Sequence, residues 1–149
     1  MNFFKKRKGF TLIELLVVLA IVGLLSTLAV VSLNNAREKS RDSKRLSDVK
    51  QVQTALELYF SDVGKYPVSV SALVLGGTGA GTLSSTNGWS DTAAGTTYMQ
   101  RVPTNPTPNG ANYSYTSADG STYSLTFTLE GAAGGLASGA HTASPSGIQ

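Results

Sequence analysis

An uncharged apolar segment, Leu15–Leu33, constrains the fold of this chain more than any other feature. Leu, Val, Ile and Ala supply most of its positions. About nineteen residues in a helix rise roughly 28 Å, which is close to the ~30 Å thickness of the hydrocarbon core of a bilayer. The segment is therefore long enough to span a membrane as a helix, and we expect membrane lipid to be a partner of the chain.

Basic residues flank the apolar segment on both sides. Four cations precede it with no acidic residue among them: Lys5, Lys6, Arg7 and Lys8. A second group of cations follows within Arg37–Arg45 and favours the opposite orientation. The first cluster usually dominates the positive-inside rule. We therefore predict a single-pass protein of the cytoplasmic (inner) membrane, with its N-terminus in the cytoplasm.

Glu14 is the only charged residue between the basic cluster and the apolar segment. A carboxylate at this depth is costly in lipid unless it is paired, so Glu14 is a candidate functional residue. The alternative is an acidic residue at a helix start, where the helix dipole favours it and the headgroup layer solvates it. Position alone leaves both interpretations open.

The residues around Glu14 resemble a known processing and assembly signature. The basic cluster is followed by Gly9-Phe10-Thr11-Leu12-Ile13-Glu14 and then by the apolar segment. This arrangement resembles the class III prepilin leader of type IV pilins and type II secretion pseudopilins. The resemblance implies cleavage between Gly9 and Phe10 by a prepilin peptidase and N-methylation of Phe10. It also implies that Glu14 pairs with the N-terminus of a neighbouring subunit during assembly.

The same resemblance implies a structural function. The chain would be inserted in the membrane as a prepilin, cleaved, and polymerised by inner-membrane assembly machinery into a helical homopolymer, a type IV pilus or pilus-like filament at the cell surface or in the periplasm. A type II secretion pseudopilin is one alternative, and an unprocessed, single-span, membrane-anchored binding module is another. We expect no enzymatic activity, because the sequence contains no GxSxG motif and no phosphate-binding glycine loop.

Helical periodicity continues beyond the apolar segment. Apolar residues recur every three or four positions, at Leu46, Val49, Val52, Leu56, Phe60 and Val63. This spacing predicts one helix over Phe10–Val63, ended by Gly64. We expect residues 1–9 to be the cleaved leader, residues 10–33 the membrane-spanning or filament-core half of the helix, and residues 34–63 its amphipathic half. The charges of Arg37–Lys50, including Arg45, are expected on a solvated face.

The remainder of the chain has the composition of strands and turns. Gly, Ser, Thr and Asn are frequent in residues 64–130, which predicts a globular head with a small antiparallel sheet. The expected fold is thus α+β and pilin-like, with the long N-terminal helix packed against the sheet. Within the head, Val68–Leu75 is predicted as a short helix, Gly76–Gly95 as a loop and Thr97–Val102 as a strand. Residues 131–149 are rich in Gly, Ala and Ser and are expected to form a flexible tail.

The clearest hairpin pattern lies around Asp119-Gly120. A two-residue loop there would place Tyr115 opposite Ser124 and leave large side chains on both faces of the sheet. A three-residue loop, Ala118-Asp119-Gly120, pairs Tyr115 with Tyr123 and brings the large side chains to one face. We predict the three-residue loop, because burial of one face should determine the register.

No cofactor or metal site is predicted. Cysteine is absent, and the single histidine, His141, lies in the expected tail without neighbouring ligands. The resemblance raises calcium as an alternative, because some secretion pseudopilins bind it in their C-terminal loops. The oxygen ligands here would come mainly from the amides of Asn105, Asn109 and Asn112, with one carboxylate from Asp119. Hard divalent cations prefer more carboxylates than that.

Nucleic acid is not indicated as a partner. Removing the four leader cations from the net charge of +3 leaves −1 for the rest of the chain. The tyrosines at positions 59, 66, 113, 115 and 123 could form a stacking surface. Their alternation and spacing favour core packing instead.

Overall fold

The computed structural model describes residues 9–149. The predicted leader cluster, Lys5, Lys6, Arg7 and Lys8, lies outside the described residues. One helix is followed by eight strands, in the order α1 (Leu12–Val63), β1 (Ser69–Val74), β2 (Thr82–Ser84), β3 (Gly88–Ser90), β4 (Thr97–Met99), β5 (Ser114–Ser117), β6 (Ser124–Leu129), β7 (Gly139–Ser144) and β8 (Gly147–Ile148). The predicted α+β class is confirmed. The chain divides into two compact units, the first ending at Arg37 and the second comprising Glu38–Gln149.

Helix α1 is continuous and ends where the sequence predicts. It begins at Leu12, two residues after the predicted start, and Gly23 does not interrupt it. Gly64 follows the helix with φ of +79°, a conformation that side chains with a Cβ rarely adopt. Its N–H donates to the carbonyl of Phe60 at 2.8 Å and so satisfies one of the last free carbonyls of the helix.

In the first unit, the apolar side chains of α1 are exposed. Every large apolar residue from Leu12 to Leu33 has at least half of its surface accessible. By length and composition, this part of α1 qualifies as a membrane-spanning helix. Such an exposed apolar surface is unfavourable in water, so lipid or other protein chains must cover it.

The second unit contains two antiparallel sheets. The larger has the strand order β1-β5-β6-β7-β8, and the smaller has the order β3-β2-β4. Alternate residues of β5 and β6 are buried, as expected for a sheet with one covered face. They form one core with the second half of α1, which includes Val49, Val52, Leu56, Tyr113, Tyr115, Leu125 and Phe127.

The buried face of α1 differs from the predicted stripe near the C-terminal end of the helix. Val49, Val52 and Leu56 are buried as predicted, but Phe60 is 38% exposed and the adjacent Tyr59 is buried. The ring of Tyr59 packs edge-on against Tyr98 of β4, with ring centroids 5.6 Å apart. Tyr59 is therefore buried through a contact with a strand that is distant in sequence. The spacing of apolar residues along the helix does not predict such a contact.

The predicted register of the β5–β6 hairpin is wrong by two residues, although the shared face is correct. Tyr115 lies opposite Leu125 rather than Tyr123. Tyr113, Tyr115, Tyr123 and Leu125 are all buried. A shift of two residues leaves every side chain on its original face, so burial could not distinguish the two registers. Tyr115 and Tyr123 still stack as diagonal neighbours, with ring centroids 6.0 Å apart.

The loop of this hairpin is longer than predicted, and contacts both with Tyr66 and within the loop stabilise it. The N–H of Tyr66 donates to the carbonyl of Gly120 at 2.8 Å. Gly120 has φ of +83°, and a Cβ there would lie 2.8 Å from the carbonyl oxygen of Tyr66. The carboxylate of Asp119 accepts hydrogen bonds from the N–H and the hydroxyl of Ser121, at 2.9 and 2.7 Å. These contacts favour a wider turn than the Asp-Gly sequence alone indicates.

Two segments predicted as a helix and as a loop contain strands instead. The segment Val68–Leu75 contributes β1, which pairs with β5 and places Val74 opposite Ser114. Within Gly76–Gly95, β2 and β3 form a hairpin with Leu83 opposite Trp89. The local patterns are short, and pairing with partners distant in sequence decides between helix and strand in such cases.

The prediction of a flexible tail over residues 131–149 is also wrong. Strand β7 pairs with β6, with Ala143 opposite Leu125 at one end and Gly139 opposite Leu129 at the other. Strand β8 pairs with β7. His141 therefore lies in a strand, half-buried, with its ring 5.6 Å from that of Phe127. The hydrogen bonds of a ladder are made by the main chain and require no large side chains. A composition of Gly, Ala and Ser therefore does not exclude a strand when an edge is available.

Ala143→Asp tests whether β7 is part of the folded head. Ala143 is fully buried, whereas Ala140 on the same strand is exposed. A buried, unpaired carboxylate should lower the free energy of unfolding by at least about 3 kcal/mol. The control Ala140→Asp should change it by no more than about 0.5 kcal/mol. The measurement is urea unfolding of the full chain in detergent micelles, followed by the fluorescence of Trp89. Equal stability of the two variants would contradict the placement of β7.

Candidate functional site

Two groups of residues are candidate functional sites. The N-terminal motif comprises Gly9–Glu14 in the first unit. The Arg45 cluster lies in the second unit and contains six residues: Arg41, Asp42, Arg45, Asn105, Asn109 and Glu130. The first group was predicted from the sequence, and the second was not recognised as a group.

Thr11 and Glu14 form a capping box at the start of α1. The N–H and the hydroxyl of Thr11 each donate to Oε2 of Glu14 at 2.8 Å. In return, the N–H of Glu14 donates to Oγ1 of Thr11 at 3.3 Å. Because α1 begins at Leu12, Thr11 is the N-cap residue and Glu14 is the third helical residue. Glu14 thus has a local role in starting the helix, which agrees with the alternative interpretation of its position.

The capping box leaves part of the Glu14 carboxylate available. Both bonds from Thr11 use Oε2, and no hydrogen bond within the described chain, residues 9–149, uses Oε1. Glu14 lines a shallow groove of about 310 Å³ whose other residues are Phe10, Ile13, Val17 and Val18. A carboxylate oxygen among exposed apolar side chains would bind a cationic group more strongly than one in open water. The local role and an assembly role are therefore compatible.

The fold does not require glycine at position 9. Apart from Gly9 itself and its two chain neighbours, no described residue has an atom within 4 Å of the position that a Cβ on Gly9 would occupy. Gly9 is exposed and precedes the helix. A requirement for glycine at this position would therefore come from outside the chain, for example from an enzyme that must accommodate an extended backbone.

Thr11→Val tests the capping box. The substitution removes the hydroxyl that accepts from the N–H of Glu14, and loss of an N-cap costs about 1 kcal/mol of helix stability. The amide of Glu14 should therefore exchange with solvent several-fold faster, measured by NMR in detergent micelles. Thr27→Val is the matched control, because the hydroxyl of Thr27 donates to the carbonyl of Leu24 within the helix. Equal protection of the Glu14 amide in wild type and Thr11→Val would contradict the box.

Arg45 is the centre of the second group. It is completely buried, although the sequence predicted it on a solvated face. Each of its five N–H groups has an acceptor. The acceptors are Oδ1 of Asn105 at 2.7 Å, Oδ1 of Asp42 and Oε1 of Glu130 at 2.6 Å each, the carbonyl of Pro106 at 3.0 Å, and the carbonyl of Asn109. A guanidinium with all donors satisfied can be buried where an unpaired cation could not.

The two carboxylates of the cluster connect α1 to the segment that follows β6. Arg41 donates two hydrogen bonds to Glu130, at 2.7 and 2.5 Å. Asp42 accepts from the main-chain N–H groups of Glu130 and Gly131, at 3.0 and 2.7 Å. Asp42 and Arg45 are three residues apart on one helix, the spacing of a side-chain pair. That spacing was the one signal of this cluster in the sequence.

The oxygen atoms considered for calcium fall into separate places. Asn105 and Asn109 belong to the Arg45 cluster, whereas Asp119 is bonded to Ser121 in the β5–β6 loop. Within residues 9–149, no group of three or more His, Cys, Asp or Glu side chains is arranged to hold a metal ion. The five tyrosines considered as a stacking surface, at positions 59, 66, 113, 115 and 123, are buried, which confirms core packing.

Charged hydrogen bonds shift the pKa of Glu130. The two bonds from Arg41 are the main cause, and bonds from Asn109 and Arg45 add to it, so the pKa of Glu130 lies well below its usual value. A carboxyl group whose pKa is lowered by folding stabilises the fold above its unfolded pKa of about 4.3. This stabilisation is lost as the pH falls below that value.

In Glu130→Gln, the free energy of unfolding should therefore decrease less at acid pH than it does in wild type. The variant should be less stable than wild type at pH 7, and the difference should shrink between about pH 5 and pH 2. Burial raises the pKa of Asp48, and hydrogen bonds from Ser121 lower that of Asp119, but both groups are present in both proteins and cancel in the difference. The measurement is thermal unfolding across this pH range, with Glu57→Gln as an exposed control. A difference that stays constant with pH would contradict the assignment.

Two protein families match the sequence. The prokaryotic N-terminal methylation motif matches residues 4–30, which include the N-terminal motif. The family described as type II secretion system (T2SS), protein G, matches residues 32–143, which include the Arg45 cluster.

Several curated proteins are similar to this chain. The type II secretion system core protein G of Escherichia coli (strain K12) is 38% identical over 68 residues, which are 46% of this chain and 47% of that protein. The protein of the same description from Vibrio cholerae serotype O1 is 30% identical over 139 residues, covering 91% of this chain and 90% of the relative. The type IV major pilin protein PilA of Myxococcus xanthus is 34% identical over 65 residues, 44% of this chain and 30% of the pilin.

The extent of these matches differs. The chain spans about half the length of most of the type II secretion relatives it matches, and nearly all of the Vibrio cholerae one. No solved structure matches the chain significantly.

Proposed function

Because the chain belongs to the type II secretion protein G family, we propose that it is a structural subunit of a pilus-like filament. The observation that carries this proposal is the exposed apolar half of α1, with Glu14 at its start. The resemblance to type IV pilins and type II secretion pseudopilins rests on that arrangement, and relatives of both descriptions match the chain. The protein G match over residues 32–143 favours a secretion pseudopilin over a type IV pilin.

We propose that the chain starts as a precursor in the inner membrane. The apolar part of α1 would span the bilayer, and Lys5, Lys6, Arg7 and Lys8 would keep the N-terminus in the cytoplasm. A prepilin peptidase would then cleave between Gly9 and Phe10, and the new amine of Phe10 would be methylated. The methylation-motif match over residues 4–30 supports this step. The proposed function is structural and includes no reaction catalysed by this chain.

Glu14 would align subunits as they leave the membrane. Cleavage creates a cationic amine at Phe10, four residues before Glu14 and near the same depth. A carboxylate in an apolar setting is relieved of its desolvation cost only when a cation from the neighbour arrives at the correct stagger. Oε1 of Glu14, which makes no hydrogen bond within residues 9–149, would make that contact, while Oε2 stays bonded to Thr11. The amine would thus determine register as well as affinity.

Glu14→Leu tests the assembly role. The head should fold and the chain should insert in the membrane, because neither depends on this carboxylate, but filaments should be lost. Glu14→Asp retains the charge on a side chain one methylene shorter and should assemble better than Glu14→Leu. The measurement is electron microscopy of sheared filaments, with membrane-fraction immunoblots as the control for insertion. Normal filaments from Glu14→Leu would exclude the pairing.

Gly9→Val tests processing separately from assembly. The branched side chain should block cleavage and leave the longer precursor in the membrane, visible as slower migration on a gel. Since no described atom crowds a Cβ at this position, the fold itself should tolerate the change. Gly23→Val is the control for cleavage, because the same substitution lies far from the cleavage point and should leave the mobility of the processed chain unchanged. Wild-type mobility of Gly9→Val with full filament yield would contradict the assignment of residues 1–9 as a leader cleaved after Gly9.

A further inference from the structure

The segment Asn105–Gly110 presents to α1 the oxygen atoms that a hard divalent cation prefers. Two are main-chain carbonyls, of Pro106 and Asn109, and one is the amide oxygen of Asn105. The carboxylates of Asp42 and Glu130 complete a set of five oxygen-bearing groups. Calcium sites in proteins are built from such groups. Calcium is therefore the metal ion to test against this part of the structure.

The residues present do not fit calcium, because the same five groups already bind a cation. Each of them accepts one N–H from the guanidinium of Arg45, which has five donors and no acceptor. The second oxygen of Glu130 is also in use, by Arg41 and Asn109. A divalent ion would have to displace the buried guanidinium, and two like charges so close together repel strongly.

We infer that Arg45 is the resident cation of this site. Its guanidinium holds the segment Asn105–Gly110 and the residues after β6 against α1, and the second unit folds without a calcium ion at this position. The inference concerns folding and is independent of filament assembly. If the inference fails, the proposed function is unaffected. If the proposed function fails, the inference about Arg45 is unaffected.

The packing around the guanidinium supports this assignment. A Cβ at Gly110 would lie 2.9 Å from Nη2 and 3.2 Å from Cζ of Arg45, so the loop main chain lies directly against the cation. Gly110 has φ of +90°, which glycine adopts readily. The amide nitrogen of Asn105 donates to the carbonyls of Asn109 and Gly110, at 3.0 Å each. Asn105 thus directs its oxygen to Arg45 and closes the loop with its nitrogen.

The direct test is thermal unfolding of the full chain in detergent micelles, with millimolar calcium or with a calcium chelator. Near-ultraviolet circular dichroism reports on the second unit, where Trp89 and the buried tyrosines lie. An ion bound only by the folded state would raise the unfolding midpoint. We expect wild type to have the same midpoint in both conditions, within about 1 °C. A rise of several degrees with calcium would overturn the inference.

Arg45→Ala tests whether the guanidinium of Arg45 stabilises the second unit. Removing one partner of a buried ion pair leaves its carboxylates uncompensated, so the midpoint should fall by about 10 °C. Lys44→Ala is the matched control, because it removes one exposed cation from the adjacent position and should leave the midpoint nearly unchanged. An Arg45→Ala midpoint equal to that of Lys44→Ala would overturn the inference.

Arg45→Lys covers the case in which Arg45→Ala does not fold. Lysine keeps the charge but has three donors on one nitrogen, so it cannot reach five acceptors arranged around a planar guanidinium. Its midpoint should lie clearly below that of wild type. A midpoint equal to wild type would show that a single charge suffices and would overturn the role assigned to the guanidinium.

Discussion

One helix must be stable in two different surroundings, and the other features of this protein depend on that constraint. An α-helix bonds its own backbone groups internally, so it can leave water without a penalty for unpaired amides. From Leu12 to Leu33 the large apolar side chains of α1 are exposed and require lipid or neighbouring chains. From Asp42 onward, one face of the same helix is buried in a core of tyrosines and leucines. Each surrounding contains a charged residue of the helix: Glu14 lies at the start of the exposed apolar part, and Arg45 lies in the part that is buried in the second unit.

The burial of Arg45 shows why charged residues are hard to place from sequence. Alternating acidic and basic residues are typical of a solvated helix face, and the pattern of Arg37–Lys50 predicts such a face. The acceptors that make burial possible come from Pro106, Asn109 and Glu130, which are 60 or more residues away. No periodicity in the helix encodes those partners. A buried ion pair often contributes little net stability compared with apolar packing. Here the hydrogen bonds of Arg45 determine where the segment Asn105–Gly110 and Glu130 contact α1.

The sheet shows the complementary limit. Alternation correctly predicted which side chains of β5 and β6 share a face, because a pleated strand reverses them at each residue. It could not predict the register, since a shift of two positions conserves the face and the contact between Tyr66 and Gly120 sets the loop. Strand β7 was not predicted, because it pairs with β6 through main-chain hydrogen bonds and its small side chains give no strand pattern. The helix and its end at Gly64 were predicted, because those signals are local.

Mass spectrometry of the N-terminus distinguishes a processed filament subunit from an unprocessed membrane anchor. We propose that the chain is a processed filament subunit, so protein isolated from the membrane or from sheared filaments of its host should begin at Phe10 and carry a methyl group on that amine. The spectrum would then show a chain without residues 1–9, and deletion of the prepilin peptidase should restore them. A chain that still begins at Met1 in the membrane of a host with an active prepilin peptidase would contradict processing and favour the unprocessed membrane anchor.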